Sequence, residues 1–175
     1  TGVYLELKKN KKYIIDVAEP DGNFVKKINT FKPDIAFNLL HGRYGEDGYI
    51  QAILESQKIK YTHSGVLSSS LAIDKEISKE IYIKNNILTP KYIKFKFRDF
   101  NEKKIIQEVH KKLKFPVVIK PINEGSSVNV FICTKSNIIK NLKKLENYKR
   151  IIIEEFIPGR EIQAAIINNK KLGAI

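Results

Sequence analysis

Ile35-Ala36-Phe37-Asn38-Leu39-Leu40-His41-Gly42-Arg43-Tyr44-Gly45-Glu46-Asp47-Gly48 decides the fold of this chain. Residues 35–40 are an apolar run, the pattern of a buried parallel strand. Residues 41–48 are polar and hold three glycines, and a helical spacing follows over 49–57. A strand that passes through such a turn into a helix opens a βαβ unit. Ligands in open α/β sheets sit past the carboxyl ends of strands like this one. The free N–H groups of the helix start favour an anion, and the glycines let a backbone approach a ligand closely. A glycine-rich turn capped by Asp47 satisfies the same spacing with no ligand at all.

Working outward, Val3 and Leu7 sit four apart, as on the last turns of a helix. Residues 13–17 read as a short apolar strand, Asp21-Gly22 as a turn, 59–62 as another strand and 64–70 as a loop of small residues. Leu71, Ile73, Ile77, Ile81 and Tyr82 keep a helical spacing up to Asn85-Asn86. Strand, loop, helix, strand, helix predicts an open, mainly parallel α/β sheet over residues 1–72.

After a boundary near 72–90 the rhythm changes. Residues 92–97 alternate as a strand, and Ile105, Ile106, Val109 and Leu113 mark an amphipathic helix. Residues 115–120 form a strand broken at Pro121, and Val128, Val130 and Ile132 alternate after a Gly-Ser loop. Ser136 reads as the N-cap of a helix carrying Ile138, Ile139, Leu142 and Leu145. Residues 150–155 and 161–167 are strands, the second turning at Asn168-Asn169 into 172–175. The expectation is a smaller α+β unit, an antiparallel sheet with helices on one face, over residues 73–157.

Composition narrows the function classes. In 175 residues with 42% hydrophobic content there is enough apolar material for a core. One cysteine and three histidines exclude a disulfide framework and a Cys/His zinc site. No apolar stretch approaches the ~18 residues of a membrane span, and the first residues lack the apolar core of a signal peptide. The net charge is 32 − 19 = +13, yet only Arg43, Arg98, Arg150 and Arg160 are arginines. Nucleic-acid surfaces lean on arginine forks and interleaved aromatics; lysines accompanied by Ile and Asn are the mark of an AT-rich genome. A basic nucleic-acid-binding module is the alternative from another class, and it would show a steep salt slope in filter binding. The expectation is a cytoplasmic protein with no nucleic-acid or membrane partner.

Two further clusters carry chemistry. In Lys120-Pro121-Ile122-Asn123-Glu124-Gly125-Ser126-Ser127 a lysine ends a strand and a loop of small residues offers amides and two hydroxyls. Such a loop cradles phosphates, but it is neither a P-loop nor a Rossmann fingerprint, and an ordinary hairpin loop fits it too. In Glu154-Glu155-Phe156-Ile157-Pro158-Gly159-Arg160-Glu161, acidic groups at strand ends flank an apolar step and a Pro-Gly turn. Taken alone, that pattern fits surface salt bridges with lysine.

Taken together, the three clusters resemble the ATP-grasp enzymes, specifically the D-alanine–D-alanine ligase family, over essentially the whole chain. The resemblance rests first on His41-Gly42-x-x-Gly45-Glu46-Asp47-Gly48-x-Ile50-Gln51-Ala52. Residues 61–66, 71–75 (Leu-Ala-Ile-Asp-Lys), 115–121, 124–128 and Gly159-Arg160-Glu161 match in order. It implies an ATP-dependent carboxylate–amine ligase: ATP phosphorylates one D-alanine, and the amine of a second attacks the acylphosphate, for peptidoglycan precursor synthesis. It implies catalytic roles for His41, Glu46 and Ser126, with His41 beside the first D-alanine and Asp47 helping Glu46 build that loop. Lys75 and Lys120 would meet the nucleotide phosphates, and the loop bearing Glu124, Gly125, Ser126 and Ser127 would close over them. Glu154 would accept from the adenine amino group, the backbone at Phe156 and Ile157 would read the ring edge, and Glu161 would hold the ribose. Mg2+ (or Mn2+) is implied as well, its ligands expected beyond Ile175, so no metal ligand is expected within the chain.

Departures from the family pattern are His63 and Asn129, where glycine is usual, and Leu39, where alanine is common. Histidine and asparagine tolerate positive φ better than most residues. The absence of methionine and a last strand without a cap lead us to expect an internal piece of a longer, homodimeric enzyme, lacking its first strand and inactive alone. Residues 158–175 would then open its C-terminal catalytic domain. A depsipeptide ligase or another ATP-grasp carboxylate–amine ligase is the alternative within the enzymes.

Overall fold

Two helices come first, Gly2–Lys8 (α1) and Phe24–Phe31 (α2), and α2 buries Phe24 and Ile28. The spacing of Val3 and Leu7 predicts α1; α2 follows the Asp21-Gly22 turn, where Phe24 N–H closes on the Asp21 carbonyl at 3.0 Å. The computed structural model describes residues 2–167 and 170–174. It divides into one unit of Thr1–Thr89 with Lys120–Val130 and another of Pro90–Ile119 with Phe131–Ile175.

In the first unit, Ile35–Ala36 (β1) and Lys60–Tyr61 (β2) pair in parallel around the helix Tyr49–Ser56 (α3). Ile50 and Leu54 of α3 pack on Phe24 and Ile28 to form its core. This is the expected βαβ unit, but the first strand is shorter than residues 35–40 and is not buried, since Ile35, Phe37 and Leu39 are exposed. From Asn38 onward, side chains replace the ladder: Asn38 N–H donates to Thr62 Oγ1 at 3.1 Å, and Leu40 N–H to Asn38 Oδ1 at 3.0 Å. Residues 13–17 are not a strand either. Val17 N–H is taken by the Asp16 carboxylate at 2.8 Å and its carbonyl by Lys27 Nζ, while Ile14 is 90% exposed.

The small-residue stretch 64–70 is largely helical instead of a loop. Val66–Ile73 (α4) buries Ser69, whose hydroxyl donates to the Ser64 carbonyl at 3.1 Å. Small side chains allow that close approach. The helical spacing that continues past residue 71 is two helices and not one. Asp74 interrupts it, because its carboxylate accepts from Glu76 and Ile77 N–H at 3.0 and 3.1 Å and caps Lys75–Lys84 (α5).

The second unit is a four-stranded sheet of Tyr92–Lys96 (β3), Val117–Pro121 (β4), Phe131–Cys133 (β5) and Arg150–Glu155 (β6), in the order β3-β6-β4-β5. The pairs β3–β6 and β4–β5 are antiparallel. Alternate residues of β3 and β4 (Ile93, Phe95, Val117, Ile119) share one core with Ile105 and Val109 of Glu102–Lys112 (α6) and with Ile138 and Leu142 of Ile138–Lys143 (α7). Both helices therefore lie on one face of the sheet, as expected. Ile151, Ile152 and Ile153 of the central β6 are all buried.

Three local expectations change here. Val128 and Val130 lie in turns, with Val128 N–H on the Gly125 carbonyl at 3.0 Å, so the strand starts only at Phe131. Asn137, not Ser136, sits at the N-cap of α7; Ser136 Oγ pairs instead with Thr134 Oγ1 at 2.9 Å. The strand expected over 161–167 starts at Ala164: Ala164–Ile167 (β7) and Lys170–Ala174 (β8) form a bulged antiparallel hairpin. The turn expected at Asn168-Asn169 lies outside the described residues, as does Ile175.

Tyr61, on β2, donates its hydroxyl to Glu55 Oε1 at 2.6 Å. Burial first, then the hydrogen bond to that carboxylate and its charge, push the phenol up to about 12. The folded state thus holds this proton more tightly than the unfolded state. The contribution to stability is complete below about pH 10 and is lost as pH rises towards 12. Titrating tyrosinate absorbance should show one of the eight tyrosines lagging the rest. Glu55→Gln should bring it forward, and a Glu55→Gln titration that overlays the unaltered chain would contradict the assignment.

Candidate active site

The turn after β1 is built so that only glycine fits at residue 45. A Cβ there would overlap Leu40 Cβ and lie 2.8 Å from the Leu40 carbonyl carbon and oxygen. Asp47 ties the turn at both ends, its two oxygens accepting from Tyr44 and Tyr49 N–H at 3.1 Å each. Gly48, at the N-cap of α3 with φ 93°, could not carry a side chain without meeting Ser70 Oγ and the Val66 carbonyl. Glu46 turns back on the loop: Oε2 accepts from Gly42 N–H at 2.7 Å, and Glu46 N–H donates to the Gly42 carbonyl at 2.8 Å. Its other oxygen lies 3.8 Å from Nδ1 of His41, whose ring is 79% exposed. The loop therefore offers solvent an imidazole backed by a carboxylate.

In the same unit, the loop after β4 is gripped by Lys75, the first residue of α5. Its N–H donates to the Ile122 carbonyl at 3.1 Å, and its ammonium reaches that carbonyl at 3.3 Å and the Glu124 carbonyl as well. The next residue, Gly125, lies against the first loop. A Cβ at 125 would stand 2.9 Å from Glu46 Oε2 and 3.0 Å from Gly42 Cα. Ser126, Ser127 and Asn129 follow at φ 50°, 57° and 56°. Left-handed backbone at non-glycine residues is strained and concentrates at functional sites. Both hydroxyl residues are exposed, and Lys120, one residue before the end of β4, is half-buried. The geometry thus joins His41, Gly42 and Glu46 to Lys75, Glu124 and Gly125 in one unit.

Glu154, Phe156, Ile157 and Glu161 belong to the second unit. Glu154 is buried in β6 opposite Tyr92, Phe156 N–H donates to the Pro116 carbonyl at 3.4 Å, and Ile157 and Glu161 are exposed. Asn129 adopts the left-handed backbone expected where glycine is usual; His63 does not, so its position makes no such demand. Sequence reasoning overlooked Asn38 and the grip of Lys75 on carbonyls. The polar break in an apolar run was the signal for Asn38, and a lysine at a helix start gave none.

Gly125→Ala should force Glu46 off the Gly42 amide and cost about 1–3 kcal/mol of stability, as overpacking does. Urea unfolding should show it, and combining it with Glu46→Ala should recover part of the loss. Strict additivity of the two changes would mean that the loops do not meet at this point.

Residues 5–64 match the model of the D-ala D-ala ligase N-terminus, and residues 81–175 that of the D-ala D-ala ligase C-terminus. The D-alanine–D-alanine ligase of Pelagibacter ubique (strain HTCC1062) is 66% identical over 170 residues, covering 97% of this chain and 55% of the relative. That of Carboxydothermus hydrogenoformans is 43% identical over 162 residues, covering 91% and 52%. The crystal structure of D-alanine–D-alanine ligase from Bacillus anthracis complexed with ATP aligns with a TM-score of 0.80 at 32% identity, over 99% of this chain and 58% of that one. The chain spans about half the length of the curated relatives it matches. Two family models that between them match most of the chain, and a shared mixed α/β architecture, place it in the D-alanine–D-alanine ligase family.

Proposed function

We propose that the chain serves in the ATP-dependent joining of two D-alanines through an acylphosphate, for peptidoglycan precursors in a bacterial cytoplasm. The observation that carries this reading is the meeting of the two glycine loops. An imidazole–carboxylate pair lies beside a strained, serine-bearing loop that a lysine holds at its base. Joining two such substrates requires a polyanion and a carboxylate to be brought together while developing negative charge is neutralised.

In this reading Lys120 supplies a charge-assisted contact to the phosphates, and the amides and hydroxyls of Gly125–Ser127 wrap the transferred group. Lys75 acts on the nucleotide largely through the loop, since its ammonium already serves the carbonyls of Ile122 and Glu124. His41 and Glu46 stand at the first D-alanine. In the second unit Glu154, the backbone at Phe156 and Ile157, and Glu161 are proposed for the adenine and ribose. The division into 1–72, 73–157 and 158–175, ATP-grasp architecture and a homodimeric enzyme belong to the same reading. Among the described residues, no three of His, Cys, Asp and Glu come together as a metal requires. Among the described residues, no helix is long and apolar enough to cross a membrane.

Calorimetric titration of the chain with ATP tests the reading. Lys120→Ala should weaken binding by on the order of tenfold or more, the loss of a contact of about 1.5–3 kcal/mol. A folded Lys120→Ala chain with unaltered affinity would remove that residue from the phosphates.

Ser126→Ala separates phosphate binding from substrate positioning. ATP affinity should stay within a few-fold, because the loop amides remain. D-alanine binding in the presence of a non-hydrolysable ATP analogue should weaken, because that contact forms only in the assembled, water-excluding site. Loss of ATP affinity alone would assign the hydroxyl to the phosphate; no loss of either would make it a turn residue.

A further inference from the structure

The Gly45 carbonyl accepts two side-chain amides, Asn38 Nδ2 at 2.9 Å and Gln51 Nε2 at 2.7 Å, and both residues are buried. Asn38 also holds the other foot of the loop, accepting from Leu40 N–H at 3.0 Å, and is itself fixed by Thr62 through its own N–H. Residues 40 and 45 are thus pinned to one side chain, and the loop between them carries His41 and Gly42. Glu46, the next residue, inherits its direction from Gly45.

Gln51 is oriented at a cost. Because its Nε2 must face the Gly45 carbonyl, its Oε1 points where no described group donates to it, although the residue is fully buried. A buried acceptor left unpaired is destabilising, and an apolar side chain of similar volume on α3 would avoid it. The unpaired oxygen offsets what the Nε2 bond contributes to stability, so the amide at this position is used to fix the Gly45 carbonyl. We infer that Asn38 and Gln51 form an amide clamp that positions the 41–46 loop, and through Glu46 and Gly42 sets the seat of Gly125. They are positioning residues, acting on the nucleotide through the loops without touching it. The link to the nucleotide rests on the ATP reading above; the clamp itself does not.

Gln51→Met tests it in the full chain, since methionine keeps the volume and removes both the donor and the unpaired oxygen. Amide exchange followed by NMR should accelerate at Gly42 and Glu46 by on the order of tenfold, with α5 amides and the melting midpoint little changed. The ATP dissociation constant should rise several-fold. Unchanged exchange at Gly42 and Glu46, or acceleration shared equally by α5, would make Gln51 a core residue only. Faster local exchange with unaltered ATP affinity would also overturn the positioning role. An unaltered chain that binds no ATP would sink the ligase reading, while the exchange arm would still decide the clamp. If Gln51→Met does not fold, Asn38→Ser removes the other donor and is read by the same measurements.

Discussion

Gly42 and Gly125 bring their two loops so close that a side chain at residue 125 would have no room. The constraint is steric at Gly125, where a side chain would strike both Glu46 and the Gly42 backbone. It is electrostatic at Glu46, whose carboxylate occupies the Gly42 amide. Two sequence segments far apart thereby become one surface, and the elements behind them serve to deliver the loops. The β1–α3 connection presents the first. The second is presented from the end of β4 and held by the start of α5, through Lys75.

Much of the large-scale order was legible in the sequence. The βαβ step, the antiparallel sheet with α6 and α7 on one face, and the three motif clusters all rest on periodicity and residue type, which act locally. What misled was the assumption that an apolar run continues as strand until it meets a charge. At Asn38 and Val17 side chains took over the backbone's hydrogen bonds, and a strand expected from hydrophobicity ended early or did not form. The serine run at 68–70 misled in the opposite sense. Small residues read as loop, yet here they line α4 where it comes close to Gly48 and the Ser64 carbonyl.

The candidate site was legible as a set of motifs and not as an arrangement. Glycines at 42, 45, 48 and 125 signal close approach, but their partners are decided by tertiary packing. Lys75 shows the limit well. A lysine that precedes such a loop in space reads from the sequence as a phosphate ligand, and the structure has its ammonium on the loop's own carbonyls. Part of its charge goes to shaping that loop.

The serines at 126 and 127 make the same point from the side of energy. Each sits in left-handed backbone at φ 50° and 57°, which for a non-glycine residue costs of order 1–3 kcal/mol. Glycine would relieve that strain, at the cost of a more flexible unfolded chain. It would also remove both hydroxyls. The strain persists because the neighbourhood over-determines it: Lys75 grips the carbonyls at 122 and 124, and Gly125 is wedged on Glu46. A loop held this firmly, with strained serines exposed at its tip, has kept hydroxyl groups where backbone geometry favours none. The hydroxyls at 126 and 127 are therefore held exposed by a loop whose shape is set from outside it.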